Sequence, residues 1–143
     1  VYAAVLIQYG IDATAAGVLV TTNLFDPSDK NSYTVNAKRG LGIRVVEGST
    51  VPEQIIFDLA NNGTKIVSRS DDPTMLVFDK NGGIIEIPNP NRGVILDEQR
   101  SKRLAQTVRS FVHLIPSKLP LDVEGALAGE KVWILQARPF IGR

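Results

Sequence analysis

Two short segments near the carboxy end hold the residues best suited to chemistry: Leu121-Asp122-Val123-Glu124 and Leu135-Gln136-Ala137-Arg138. Between them, Ala128-Gly129-Glu130-Lys131 has the composition of a turn. A hairpin centred near Glu130 sets Glu124 across from Gln136 and Asp122 across from Arg138, and directly opposed residues share a face of a sheet. One face then carries two carboxylates, an amide and a guanidinium. Carboxylate and amide oxygens are hard ligands suited to magnesium, and a guanidinium forks onto phosphate oxygens. The set fits a divalent cation bound to a polyphosphate. The expectation depends on register, because a slip of one residue sends Gln136 to the face opposite Glu124. The competing reading is a run of solvated charges on the exposed face of an edge strand. Against it, apolar Val132, Trp133, Ile134 and Leu135 predict a hairpin buried on both sides.

The elements that would position this hairpin are mostly strands. Ala3-Ala4-Val5-Leu6-Ile7 is an apolar run of strand length and reads as buried. Ala16–Thr22 and Tyr33–Ala37 follow, separated by the polar turn Asp26–Asn31. Further strands are expected at Gln54–Leu59, Lys65–Arg69, Met75–Asp79 and Ile84–Pro88, with turns at Asn61-Asn62-Gly63 and Asn81-Gly82-Gly83. Residues 61–91 form a candidate small β-subdomain, closing on an irregular loop from Pro88 to Gly93. Then the period changes. Asp97 is a plausible N-cap with Glu98 in the first turn, and Leu104, Val108, Phe111, Val112 and Ile115 follow helical spacing. Pro116 and Pro120 end the helix. The pattern predicts an α+β fold, a mostly antiparallel sheet with one long helix before the closing hairpin.

Other residues offer chemistry less specifically. Gly40-Leu41-Gly42 permits close backbone approach, as a phosphate-cradling loop needs, and equally forms an ordinary turn. Lys38, Arg39 and Arg44 beside it would attract anions or lie solvated at the surface. Thr21-Thr22-Asn23 could contact phosphate or cap the next loop. His113, the single histidine, lies at the edge of the helical stripe with no partner at a catalytic spacing, which predicts a packing or surface role. No serine–histidine–acid or zinc signature is present.

Composition bounds the class. A chain of 143 residues suits one domain or one lobe of a larger one, and 43% hydrophobic residues support a core. A net charge of +1 argues against a broad nucleic-acid surface. The absence of cysteine excludes disulfides and thiolate metal sites and is compatible with a cytoplasmic location. No apolar run approaches the roughly 20 residues that cross a bilayer, so no membrane partner is expected. The chain opens on what reads as a strand already under way, which suggests a piece of a longer protein.

Several segments in order carry a family likeness: Ala4-Val5-Leu6-Ile7-Gln8, Ala16–Thr21, Ala37-Lys38-Arg39-Gly40-Leu41-Gly42, Val45-Val46-Glu47-Gly48, Val51-Pro52, and Asp122-Val123-Glu124 followed by Ile134–Pro139. Together they resemble the nucleotide-binding domain of the phosphoenolpyruvate synthase and pyruvate phosphate dikinase family. The resemblance implies that residues 1–143 are the carboxy-terminal lobe of an ATP-grasp domain. It implies ATP and magnesium as cofactors, and phosphoryl transfer from ATP to a histidine on another domain, then to pyruvate, a glucan or another acceptor, with AMP as a product. By this resemblance Glu124 and Gln136 hold magnesium and the ATP phosphates, Arg138 contacts the phosphates as the catalytic residue, and Asp122 supports them. Gln8 and Gly10 fall on the interlobe hinge where backbone groups bond adenine. The partners implied are the first ATP-grasp lobe and a phosphohistidine domain; His113 is not cast as the phosphorylated residue. The isolated chain would hold half a site and no turnover.

Three departures stand out. Family members usually place an acid directly after Gly-Leu-Gly, where this chain has Ile43, and Glu47 is too far along to be assumed a substitute. Asn23-Leu24 replaces the common Asn-Pro. Gly125 follows Glu124 in place of an aromatic and, with Thr21-Thr22-Asn23, is reminiscent of the glucan water dikinase branch. A degenerate binding module without catalysis is the other alternative, motivated by Ile43.

Overall fold

Alternation of apolar and polar residues lays out a six-stranded sheet in the computed structural model, which describes residues 3–48 and 50–142. The elements are β1 (Ala15–Val20), β2 (Ser32–Arg39), α1 (Ile43–Glu47), β3 (Glu53–Asp58), β4 (Thr64–Ser68), β5 (Thr74–Phe78), β6 (Ile84–Pro88), α2 (Glu98–Phe111), β7 (Leu121–Ala128) and β8 (Lys131–Pro139). The sheet runs β4-β3-β2-β1-β7-β8, and every neighbouring pair is antiparallel. β5 and β6 form a separate hairpin. The expected α+β pattern therefore holds. The candidate subdomain is smaller than residues 61–91, because β4 joins the main sheet.

Register assigns the two faces. Ile55, Val35, Leu19 and Val123 lie in one row across β3, β2, β1 and β7. They form the core with Phe57, Ile95, Leu96, Ala105 and Val108. Each such aliphatic or aromatic side chain contributes about 1.5–3 kcal/mol by burial. The adjacent row, on the opposite face, reads Gln54, Asn36, Val18, Glu124 and Gln136. One residue of offset thus separates the core from the polar row.

Helix α2 begins where expected: the Asp97 side chain accepts a hydrogen bond of 2.8 Å from the Arg100 N–H. Its most buried positions are Ser101, Ala105 and Val108. The larger residues of the sequence stripe, Leu104, Phe111, Val112 and Ile115, pack at the margin of the core. Small side chains face the sheet directly because they let the helix approach it closely. Glu53, only 1% exposed, fixes the entry to the helix. Its carboxylate accepts from the Ile95 and Leu96 N–H groups at 3.1 and 2.6 Å and pairs with Arg69 at 2.9 Å.

Three expectations are corrected. Ala3–Ile7 forms no strand, and Val5, Leu6 and Ile7 are largely exposed, because no described strand lies beside them to bond their backbone. The closing hairpin is not buried on both sides: β8 is an edge strand, and Trp133 is exposed. The short helix α1 was not foreseen; its β-branched valines favour strand, and a left-handed Gly48 (φ 66°) ends it.

The β5–β6 hairpin docks through the loop after β2. Gly40 has φ 75°, and a Cβ there would lie 2.3 Å from the Leu76 carbonyl oxygen, so only glycine fits. The Leu41 N–H then donates to that oxygen at 2.9 Å. Arg44 of α1 bonds the Thr74 carbonyl at 2.9 Å and pairs with Glu86 at 2.6 Å. Lys38, 1% exposed, pairs with Asp72 at 2.8 Å and also bonds the Thr50 hydroxyl.

Candidate functional site

The β7–β8 pairing places Asp122 opposite Arg138 and Glu124 opposite Gln136, the register read from the sequence. The route to it differs from a simple hairpin. Ala128 pairs with Lys131 across the tight turn Gly129-Glu130, and this offset runs back through Leu127–Val132, Ala126–Trp133 and Gly125–Ile134. Continued unbroken, it would set Glu124 against Leu135 and turn Gln136 to the core face. A β-bulge between Glu124 and Gly125 takes up Leu135 as an extra residue and restores Gln136 to the carboxylate's side. Gly125 suits this point, since a Cβ there would lie 3.0 Å from the Trp133 carbonyl oxygen.

The four side chains are not equivalent. Arg138 donates from Nε and Nη2 to Asp122 Oδ2 at 3.0 and 2.9 Å, while its side chain stays 60% exposed. Two of its five donors are thus committed to Asp122, which orients the rest. Asp122 Oδ1 is buried without a hydrogen-bond partner among the described residues. Glu124 is half-buried, and none of the ion pairs among the described residues involves it. Gln136 is exposed beside it.

Glu124 lines an open cleft with Val18, Gly42, Ile43, Val46 and Glu47. Ile43 and Glu47 are one turn apart on α1 and so share its face. The carboxylate absent at position 43 is therefore matched by one a turn later on the same cleft wall. Sequence spacing alone discouraged that reading; the signal was the left-handed Gly48, which marks a helix end just after Glu47. No group of three or more His, Asp or Glu side chains gathers for a metal among the described residues. The donors present are hard oxygens and few, which suits magnesium, a cation that keeps waters and takes substrate phosphates as ligands.

Gln8 and Gly10 lie apart from the carboxylates, lining a second cleft with Leu41, Phe78, Ile84 and Leu135. The Gln8 Nε2 donates to the Leu135 carbonyl at 3.2 Å. The basic trio does not gather at the site. Lys38 is buried on Asp72, Arg39 bonds the Gly93 and Val94 carbonyls, and Arg44 holds the β5–β6 hairpin. Gly40 serves hairpin docking. Thr21 and Asn23 act as caps: Thr21 Oγ1 accepts from the Leu121 N–H at 2.7 Å, and Asn23 Oδ1 from the Phe25 N–H at 3.0 Å. His113 is exposed on a 3₁₀ turn at Val112–Leu114. No helix among the described residues is long and apolar enough to cross a membrane.

The chain is 30% identical over 142 residues to the prodigiosin synthesizing transferase PigC of Serratia marcescens, covering 96% of this chain and 15% of that protein. It is 32% identical over 144 residues to a probable phosphoenolpyruvate synthase of Methanocaldococcus jannaschii, covering 96% of this chain and 12% of the relative. A probable phosphoenolpyruvate synthase of Archaeoglobus fulgidus is 28% identical over 141 residues, covering 96% of this chain and 18% of its own length. The chain thus spans under a fifth of each of these relatives. Residues 1–142 match the family model described as pyruvate phosphate dikinase, AMP/ATP-binding domain. With that match running almost end to end, the chain belongs to the pyruvate phosphate dikinase AMP/ATP-binding domain family.

Proposed function

We propose that this chain is the carboxy-terminal lobe of an ATP-grasp domain, and that its β7–β8 face holds the magnesium-bound phosphates of ATP in a larger dikinase-type phosphotransferase. The observation that carries the reading is the bulge-set register, which aligns Glu124 with Gln136 and Asp122 with Arg138 on one face. Glu124 and Gln136 supply oxygen donors to the cation, and Glu47 adds negative charge along the same cleft. Arg138, held by Asp122, directs its remaining N–H groups to phosphate oxygens. Magnesium, when bound, would neutralise phosphate charge, which is most of what phosphoryl transfer requires. The first lobe and the histidine that accepts the phosphoryl group belong to other parts of the full-length protein. A cytoplasmic setting accords with this chemistry and with the lack of cysteine.

A binding module without turnover is the second reading, and Ile43 is the observation that favours it. Glu47 on the same wall weighs against it. The glucan water dikinase likeness gains little, because Gly125 and Thr21-Thr22-Asn23 have local structural reasons in the bulge and the caps.

The test uses the full-length protein. Titration calorimetry with ATP, with and without magnesium, is expected to show magnesium-dependent binding that Glu124→Gln weakens by about 10–100-fold, as removal of a charged contact does. Retention of wild-type affinity and magnesium dependence in Glu124→Gln would refute the assignment. AMP formation separates the two readings: its presence in wild type, and its loss in Glu124→Gln, excludes the non-catalytic module.

A further inference from the structure

The inner half of β8 is apolar at four consecutive positions, Val132-Trp133-Ile134-Leu135. Such a run suits either face of a sheet, so the hydrophobic pattern does not fix its register. Ile134 lies opposite Gly125 and packs on the core, while Trp133 lies opposite Ala126 on the other side and stays 41% exposed. Leu135, bulged out of the ladder, lines the cleft that carries Glu47 and Glu124.

A second register is open to the same residues. A three-residue loop, Gly129-Glu130-Lys131, would pair Ala128 with Val132, Leu127 with Trp133, Ala126 with Ile134 and Gly125 with Leu135. It would then meet the unchanged Glu124–Gln136 pair with no bulge. Trp133 and Leu135 would turn to the helix side, where Gly17, Ala37, Gly125 and Leu104 line an apolar cavity of about 20 Å³. Burial of the one tryptophan of the chain favours that arrangement.

The turn holds the observed register. Gly129, at φ 59°, takes the first place of a two-residue turn, the position that a type II′ turn keeps for glycine. Arg103 of α2 grips the second residue. Its Nη1 donates to the Glu130 carbonyl at 2.6 Å and pairs with the Glu130 carboxylate at 2.5 Å. In the three-residue loop Glu130 would become the apex and leave that grip.

Resting on the ATP-binding reading above, we infer that Arg103 is a positioning residue: it selects the bulged register of β8 against the slipped one, and so keeps Leu135 on the cleft beside Glu124. A nucleotide in that cleft favours the same register, because only there does it meet Leu135. Clamp and ligand thus act on one equilibrium.

Paired cysteines report the register in the full-length protein, with cross-linked peptides identified by mass spectrometry. Leu127→Cys with Val132→Cys is an opposed pair in the observed register. Ala128→Cys with Val132→Cys is opposed only in the slipped one, and both pairs leave Trp133 in place. Without nucleotide, Arg103→Ala is expected to speed oxidation of the second pair about tenfold, the scale of a hydrogen bond to a charged group, while the first holds within about twofold. Glu130→Gln keeps the carbonyl contact and should change the rate by no more than about threefold, the scale of an exposed ion pair. Arg103→Lys should recover part of the loss. ATP with magnesium should return the second pair in Arg103→Ala toward the wild-type rate. A second pair as slow in Arg103→Ala as in wild type overturns the inference. Equal acceleration of both pairs also overturns it, because the turn would then only fray. A slipped register that ATP leaves untouched overturns the positioning role. If the wild-type protein binds no ATP, the ATP reading fails and the link to the cleft falls with it, while the rates without nucleotide still decide whether Arg103 sets the register.

Discussion

Replacing Gly40 with alanine should release the β5–β6 hairpin while leaving the main sheet intact. Gly40 has φ 75°, a left-handed conformation that costs a residue with a Cβ about 1–2 kcal/mol. The added Cβ would also lie 2.3 Å from the Leu76 carbonyl oxygen, so the hairpin must move. That movement gives up the 2.9 Å hydrogen bond from the Leu41 N–H to Leu76, worth about 1 kcal/mol net. The two terms together are about 2–3 kcal/mol, or roughly a 30–150-fold shift in a local opening equilibrium. Hydrogen exchange read by mass spectrometry is the assay. Peptides spanning β5 and β6 should exchange faster by about that factor, while peptides of β1, β2 and β3 keep their protection. Unchanged exchange in β5–β6 would refute the steric argument. Equal acceleration throughout the sheet would refute the idea that Gly40 serves the hairpin alone.

Other outcomes follow from the same geometry. Phe57→Ala removes a nearly buried ring from the core and should cost about 3–5 kcal/mol in a denaturant titration. Asp97→Ala loses the cap of α2 and should cost about 1 kcal/mol, measurable in the same way. Acid should loosen the hairpin anchors. Burial pushes the Asp72 carboxyl up, but hydrogen bonds from Lys38, Thr50 and Ser70 outweigh it and leave the group below 3.8. Hydrogen bonds from Thr74 and Arg44 hold Glu86 below 4.5. Both groups are depressed in the folded state, so their contribution is complete above those ordinary values and is lost as pH falls through the lower folded ones. The protection of β5–β6 against hydrogen exchange, taken relative to the intrinsic rate at each pH, should therefore fall below about pH 4 ahead of that of the core strands, and a hairpin equally protected at pH 3 and pH 6 would contradict it.

The pairing of Glu124 with Gln136 and of Asp122 with Arg138 was legible in the sequence because a period of two is fixed by strand geometry and the paired motifs are short. What set the row was not legible. A reading centred on Glu130 reached the right partners, yet the real turn is Gly129-Glu130 and the offset is made good only by the bulge at Leu135. Helix α2 declared itself through Asp97 and its apolar spacing, while Ser101 and Ala105, small and unremarkable in sequence, turned out to face the core. Lys38 read either as an attractor of anions or as a solvated surface residue, and its burial was missed because its partner, Asp72, lies 34 residues away. Val5–Ile7 failed for the opposite reason: apolarity marks what a segment can bury, and says nothing of whether a neighbouring strand is there to receive it.

The bulge leaves β8 with two halves out of phase. Lys131–Ile134 take their facing from the turn, whereas Gln136–Pro139 take theirs from Asp122 and Glu124 beneath them. Alternation counted from the turn therefore names the wrong side for every position after Leu135. The amide that faces Glu124 keeps its aim because a single supernumerary leucine bulges out, so deleting Leu135 would bring the two halves into phase without altering the turn or turning Gln136 away.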